Sequence, residues 1–286
     1  MNGILIMDKP QGFTSHDVVA KLRGIYQTRR IGHTGTLDPM ATGVLPIFIG
    51  RATRACEFAA GDDKTYLATI RLGIETDTQD TTGNILKTAP VTCTEADVRA
   101  VCNRFVGEIS QIPPMYSAIK VDGKRLYQLA REGIEVERKP RNITIFSIDV
   151  EKLSDSEYSL CVHCSKGTYI RTLCADIGAA LGCGAAMSAL RRTQAGSFQL
   201  SDAHTFDSLS VNPEAALLPV DSLFRQYASV TVDTNGEKKC RNGAPIPYSS
   251  GTSGETYRVY AKSGEFLMLA VCKNKQLLTV KSFFEV

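Results

Sequence analysis

Apolar residues run unbroken over positions 3–7 and stop at Asp8, the pattern of a strand, followed by a turn at Lys9-Pro10-Gln11-Gly12. Val18, Val19, Leu22, Ile25 and Tyr26 then recur at three- and four-residue spacing. That spacing predicts a helix with Ser15 at its N-cap and Asp17 in its first turn. Residues 44–49 return to a continuous apolar run, and 66–72 alternate as a half-buried strand does. Thr94 with Asp97 three residues on predicts a capped helix whose stripe is Val98, Val101, Cys102 and Phe105. Residues 142–153 and 157–165 read as strands paired across Ser154-Asp155-Ser156. A helix over 168–181 carries Ile170, Leu173, Ile177 and Leu181 and stops at Gly182.

Helical and strand patterns mix without a βαβ rhythm, which predicts an α+β fold on a mainly antiparallel mixed sheet. After Pro113-Pro114 the character changes to an Asp122-Gly123 turn, a short basic helix around 124–131 and a charged loop to Pro140. Residues 111–146 therefore read as a mobile insertion. Pro213 to Pro219 marks a boundary, and beyond Tyr227 short apolar runs between Gly, Ser and Pro turns predict a small β-rich domain. The expected division is a large domain over 1–228 and a small one over 229–286.

At 286 residues and 43% hydrophobic, the chain can bury a core. No apolar run approaches the roughly 20 residues that cross a bilayer, and the N-terminal stretch is too short for a signal peptide. A cytoplasmic protein without membrane contact is expected. The nine cysteines form no disulfide framework. Cys161 and Cys164, the tightest candidate metal pair, fall three apart in an alternating run and so face opposite sides of a strand; no metal site is expected. Net charge is only +3, but its distribution is uneven: residues 21–54 carry a balance of +5 and 111–146 another +3, while acids gather at 57–63 and 75–80. Basic stripes on a near-neutral chain suit a polyanion docked on one face.

The least ordinary segment is Gly32-His33-Thr34-Gly35-Thr36-Leu37-Asp38-Pro39-Met40-Ala41-Thr42-Gly43. Glycines and small hydroxyl residues let backbone approach a ligand closely, here around one acid and one histidine. No Gly-Lys-Ser/Thr ending marks a nucleotide loop. A plain turn with Asp38 capping its own backbone is the alternative.

This segment resembles the catalytic motif of the TruB family of pseudouridine synthases, the bacterial group that modifies uridine-55 of tRNA. Four further blocks match in order: Gly3-Ile4-Leu5-Ile6-Met7-Asp8-Lys9-Pro10, Lys64-Thr65-Tyr66, Ser165-Lys166-Gly167-Thr168-Tyr169-Ile170-Arg171-Thr172, and Gly182-Cys183-Gly184 leading to Leu190-Arg191-Arg192. The resemblance implies isomerisation of uridine to pseudouridine without a cofactor, by flipping out the base, cleaving N1–C1′ and rejoining through C5. Asp38 matches the catalytic aspartate, Arg171 its cationic partner, and Tyr66 the tyrosine that stacks on the target base and is a candidate for removing the C5 proton. His33 matches the histidine that fills the vacated space, Tyr169 and Leu190 the lining of the uracil pocket, and Lys9 a support of the catalytic loop. Thr36 departs from the pattern, standing where many relatives carry alanine.

The resemblance further implies a pseudouridine synthase-like catalytic domain over 1–228, with 111–146 as a thumb closing on the T stem-loop. The tail, 229–286, resembles the small RNA-binding PUA domain. The expected partner is tRNA, with no obligatory protein partner and a monomeric state. Two other readings stay open: a guide-dependent relative acting on ribosomal RNA, and a non-catalytic RNA-binding or chaperone protein.

Overall fold

The computed structural model describes residues 1–284 apart from Asp122 and Val211. Half of the expected Asp122-Gly123 turn thus lies outside the described residues. Along the chain, β1 (Gly3–Lys9) leads through a turn to α1 (Ser15–Ile25), then β2 (Ile31–His33) and β3 (Thr42–Ile49). Helix α1 is capped one residue earlier than its sequence suggests. Thr14 and Asp17 form a reciprocal capping box, and Ser15 is buried with its hydroxyl donating to the Leu37 carbonyl. A helical turn, α2 (Cys56–Ala59), precedes β4 (Lys64–Leu72), the hairpin β5 (Ile74–Thr76) and β6 (Ile85–Thr88), and α3 (Glu95–Arg104) with the expected Thr94–Asp97 box.

Strand β7 (Gly107–Gln111) ends where the chain leaves the sheet. Short strands β8 (Lys120–Val121) and β9 (Lys124–Arg125) and α4 (Leu126–Arg131) follow, before β10 (Arg141–Lys152) returns. Because β10 pairs with β7 from Arg141 onward, the excursion spans 112–140, narrower than the 111–146 drawn from composition. Then come β11 (Glu157–Cys164), α5 (Ile170–Leu181), β12 (Ala185–Ala195) and β13 (Phe198–Gln199). Helix α5 ends at Gly182 in the left-handed conformation (φ 78°).

The main sheet runs β1-β3-β12-β4-β11-β10-β7, with β2 on β3 and β13 on β12; only the β3–β12 contact is parallel. This is the α+β, mainly antiparallel arrangement expected. The unbroken apolar runs in β1 and β3 have a direct cause: both faces are covered. Leu5, Met7, Leu45 and Ile47 join one core with α1 and α5, while Ile4, Ile6, Val44 and Phe48 join a second.

A five-stranded sheet closes the chain: β14 (Ala228–Thr231), then α6 (Thr234–Arg241), β15 (Ile246–Pro247), β16 (Thr256–Tyr260), β17 (Phe266–Lys273) and β18 (Gln276–Ser282). The second core is shared with it, for Leu269 and Phe283 pack with Phe224, and Phe266 stacks on Phe283 with centroids 5.1 Å apart. Helix α6 has no apolar stripe in its sequence. It forms because Asp233 caps it by accepting from the Gly236 N–H at 2.7 Å, with Cys240 as its main anchor. Among the described residues no helix is long and apolar enough to cross a membrane.

Candidate active site

One row of cross-strand neighbours assembles the site. Lys9 lies opposite Gly43, Gly43 beside Arg192, and Arg192 opposite Tyr66, so four strands bring these residues side by side. Gly43 is required there: its φ is +99°, and a Cβ would strike the Arg192 carbonyl oxygen. The loop between β2 and β3 rises from this row and carries Asp38. Two buried cations hold the loop. Arg192, 1% exposed, donates to the Val44 and Gly35 carbonyls at 2.7 Å each. Lys9, fully buried, donates to the carbonyls of Phe13 (2.6 Å), Pro10 (2.9 Å) and Pro39 (3.4 Å). Burial lowers the Lys9 ammonium to about 8, with Asp38 opposing that shift.

Arg171 projects from the first turn of α5 and is only 6% exposed. Its Nε meets the Asp38 carboxylate at 3.0 Å, Nη1 donates to the Thr78 carbonyl at 3.2 Å, and Nη2 to the Tyr116 carbonyl at 2.7 Å. The planar fork is thus fixed from three directions. Asp38 keeps 40% of its side chain open to solvent while protein crowds its remaining sides. Burial raises its carboxyl above the ordinary value, Arg171 pulls it down, Asp80 pushes it up and Lys9 pulls it down; the net direction is upward.

Asp80 is the functional-looking residue that the pattern of the sequence conceals. Within the acidic run 75–80 it reads as solvated surface, yet it is 4% exposed and lies 3.6 Å from Arg171 Nη1. Its other oxygen accepts from the Thr78 hydroxyl (2.9 Å), the Thr82 N–H (3.0 Å) and the Thr82 hydroxyl (2.5 Å). Threonines on both sides of an acid were the available signal, since they supply donors that let a carboxylate turn inward.

Tyr66 is 8% exposed within the main core, its phenol against Arg192. Burial raises that phenol, Arg192 lowers it, and Asp38 lies within electrostatic reach of it as it does of Tyr169. Leu190 is also buried, on the same face of β12 as Arg192 two residues on. Tyr169 is the N-cap of α5, and burial raises its phenol too. His33 ends β2, edge-on to His16 at 5.3 Å, with Nδ1 buried and without a hydrogen-bond partner among the described residues. Burial, with His16 and Arg192, lowers it to about 4, so the imidazole is neutral at physiological pH. All seven residues singled out from the sequence therefore lie on the strand row, on the adjoining β2 and its loop, or at the start of α5. Cys161 and Cys164 lie on opposite faces of β11.

A carboxylate fixed by a guanidinium, beside a tyrosine and an apolar wall, can attack an electrophilic carbon or take a proton from a substrate seated against it. The TruB family pseudouridylate synthase N-terminal domain model matches residues 23–170, and the tRNA pseudouridylate synthase B C-terminal domain model matches 171–225. The chain is 45% identical to a tRNA pseudouridine synthase B of Clostridium kluyveri, over 99% of this chain and 100% of the relative. It is 47% identical to one from Dechloromonas aromatica, over 92% of this chain and 89% of the relative. Among solved structures, a chain of a Cbf5–Nop10–Gar1 complex superposes with a TM-score of 0.72 at 26% identity, covering 99% of this chain and 85% of that one.

Proposed function

The chain belongs to the TruB family of pseudouridylate synthases, and we propose that Asp38, held by Arg171, breaks the N1–C1′ bond of uridine-55 in the T-loop of tRNA. The protein is a tRNA pseudouridine synthase, an isomerase that rejoins uracil to the same ribose through C5. The observation that carries the residue assignment is the 3.0 Å pair between Asp38 and an Arg171 whose other nitrogens are tied to backbone. A base inside a folded loop must be extruded to reach it, at a cost of a few kcal/mol. Tyr66 stacks on the extruded uracil and its oxygen takes the C5 proton, with the Arg192 guanidinium supporting the charge that develops there. Leu190 and Tyr169 line the uracil pocket, His33 fills the space the base leaves, and Lys9 holds the Asp38 loop from beneath.

Residues 1–228 serve as the catalytic domain, 112–140 as the thumb on the T stem-loop, and 229–286 as a PUA-like RNA-binding domain. A cleft of about 500 Å³ between the two units, lined by Arg30, Arg51, Arg54 and Arg241, supports RNA docking away from the chemistry. Phosphate contacts of this kind make tRNA affinity fall steeply as salt rises, and a salt-independent Kd would contradict the docking. The protein acts as a cytoplasmic monomer without a partner protein or guide RNA. Identity of 45–47% to proteins named tRNA pseudouridine synthase B, against 26% to a chain of a Cbf5–Nop10–Gar1 complex, favours this over the guide-dependent reading.

The test is release of tritium from C5 of uridine-labelled tRNA transcript by the purified protein alone. One equivalent per tRNA is expected, and none would sink the stand-alone reading. In the same assay Tyr66→Phe should keep tRNA affinity and lose about 100-fold in rate, the low end for a general acid–base group. An unchanged rate would leave Tyr66 as a stacking surface only.

A further inference from the structure

Gln111 is the last residue of β7, immediately before the segment 112–140 leaves the sheet. It is 2% exposed although its side chain is a polar amide. Both ends of that amide engage one residue. Nε2 donates to the Tyr169 carbonyl at 3.0 Å, and the Tyr169 N–H donates to Oε1 at 2.8 Å. A neighbouring strand's backbone would make this pair in a sheet. Here the chain after Gln111 runs into Pro113 and Pro114, which have no N–H to offer. The glutamine side chain therefore carries the ladder one step further, to the start of α5.

Tyr169 is the N-cap of that helix, in extended conformation, and makes no side-chain cap of its own. Its carbonyl also accepts the first helical bond, from the Leu173 N–H at 3.0 Å. The placement of Tyr169 thus sets where α5 begins, and Arg171 is the helix's second residue. Its guanidinium must meet Asp38 and two carbonyls at hydrogen-bond distance, and misplacing reacting groups by about 1 Å costs on the order of 10²-fold in rate. Two further bonds tie the root of the 112–140 segment. Arg171 donates to the Tyr116 carbonyl at 2.7 Å, and Arg138 to the Pro113 carbonyl at 3.3 Å.

We infer that Gln111 is a positioning residue for the isomerisation: by clamping both polar groups of Tyr169 it fixes the start of α5, and so the aim of Arg171 at Asp38. It also couples that aim to the seating of the 112–140 segment on RNA. The inference rests on the Asp38–Arg171 reading proposed above.

Gln111→Glu is the discriminating variant. Its protonated carboxyl has one donor and one acceptor and reproduces the clamp; ionised, it has only acceptors and repels the Tyr169 carbonyl. The charged and titratable groups around this point are Arg141, opposite Gln111 on β10, Arg171, Asp38 and the Tyr169 phenol. The two arginines favour ionisation, while burial and the carbonyl oppose it and bring the transition toward neutral pH. Single-turnover rates divided by those of the wild type should approach one near about pH 5.5 and fall at least about tenfold by about pH 8.5. The tRNA Kd should stay within about threefold, because no phosphate contact is touched. Gln111→Met fills the space but bonds neither group, so its ratio should be low by about 10- to 100-fold and flat with pH.

Melting curves at both pH values separate a lost aim from a lost fold. A pH-independent ratio for Gln111→Glu, a wild-type rate for Gln111→Met, or rate losses that merely track unfolding would each overturn the inference. A wild-type rate in Asp38→Asn would instead remove the reading beneath it, and the two failures are told apart by that variant.

Discussion

Asp38→Asn yields a folded protein that still binds tRNA and isomerises it at least about 10⁴-fold more slowly, a loss of roughly 5.5 kcal/mol of transition-state stabilisation. The amide keeps the size of the carboxyl and can still meet Arg171, but it can neither attack C1′ nor take a proton. Affinity should hold within about tenfold, since phosphate contacts supply most of it and deleting an acid cannot repel a polyanion. The melting temperature should not fall. Because the fold raises the Asp38 carboxyl, the native state holds the proton more tightly than the unfolded chain does. Stability therefore drops as pH rises through the window above the ordinary value of 3.8, and the ionised group is a stability cost at neutral pH. The amide removes that cost, while Arg171 keeps Asp80 at 3.6 Å and its two carbonyls. Melting curves beside single-turnover rates check both halves, and a large fall in melting temperature would recast Asp38 as a structural anchor.

Arg171→Lys should cost about 10³-fold in rate, or roughly 4 kcal/mol, although it conserves charge. A single ammonium cannot meet Asp38 while also satisfying the Thr78 and Tyr116 carbonyls, which the guanidinium reaches with separate nitrogens. Whichever carbonyl it abandons loses a charged donor in a half-buried site, a penalty of about 1–3 kcal/mol. Unlike Asp38→Asn, this variant should therefore melt at a lower temperature. Arg171→Lys with both wild-type rate and wild-type melting would show that charge alone suffices and that the fork geometry is incidental.

The two variants differ in how legible their residues are in the sequence. The Asp38 loop stands out because glycines and hydroxyl residues interrupt apolar strands, a local property. Tyr66 shows as a position in an alternating run and Arg192 only as a motif residue, but neither periodicity nor a motif gives a strand's neighbour. Their adjacency depends on β12 pairing with β4, which brings Arg192 opposite Tyr66 from 126 positions away. Lys9 was readable as a motif residue, and its three carbonyl partners were not. Asp80 was hidden by its company, since an acid among acids looks solvated until Thr78 and Thr82 are seen to satisfy it. The same limit applies to α6, where only the Asp233 cap and one buried cysteine distinguish a helix from a polar loop. Elements built from local pattern were readable, and those completed by a distant donor were not.

The most direct test is to incubate an unmodified tRNA transcript with the purified protein alone, then map pseudouridine by chemical labelling and primer extension, with Asp38→Asn in parallel. A single stop reporting position 55 is predicted for the wild type, with none for the variant at equal time and concentration. Pseudouridine in both lanes, or in neither while the protein is folded and bound to tRNA, would contradict the account.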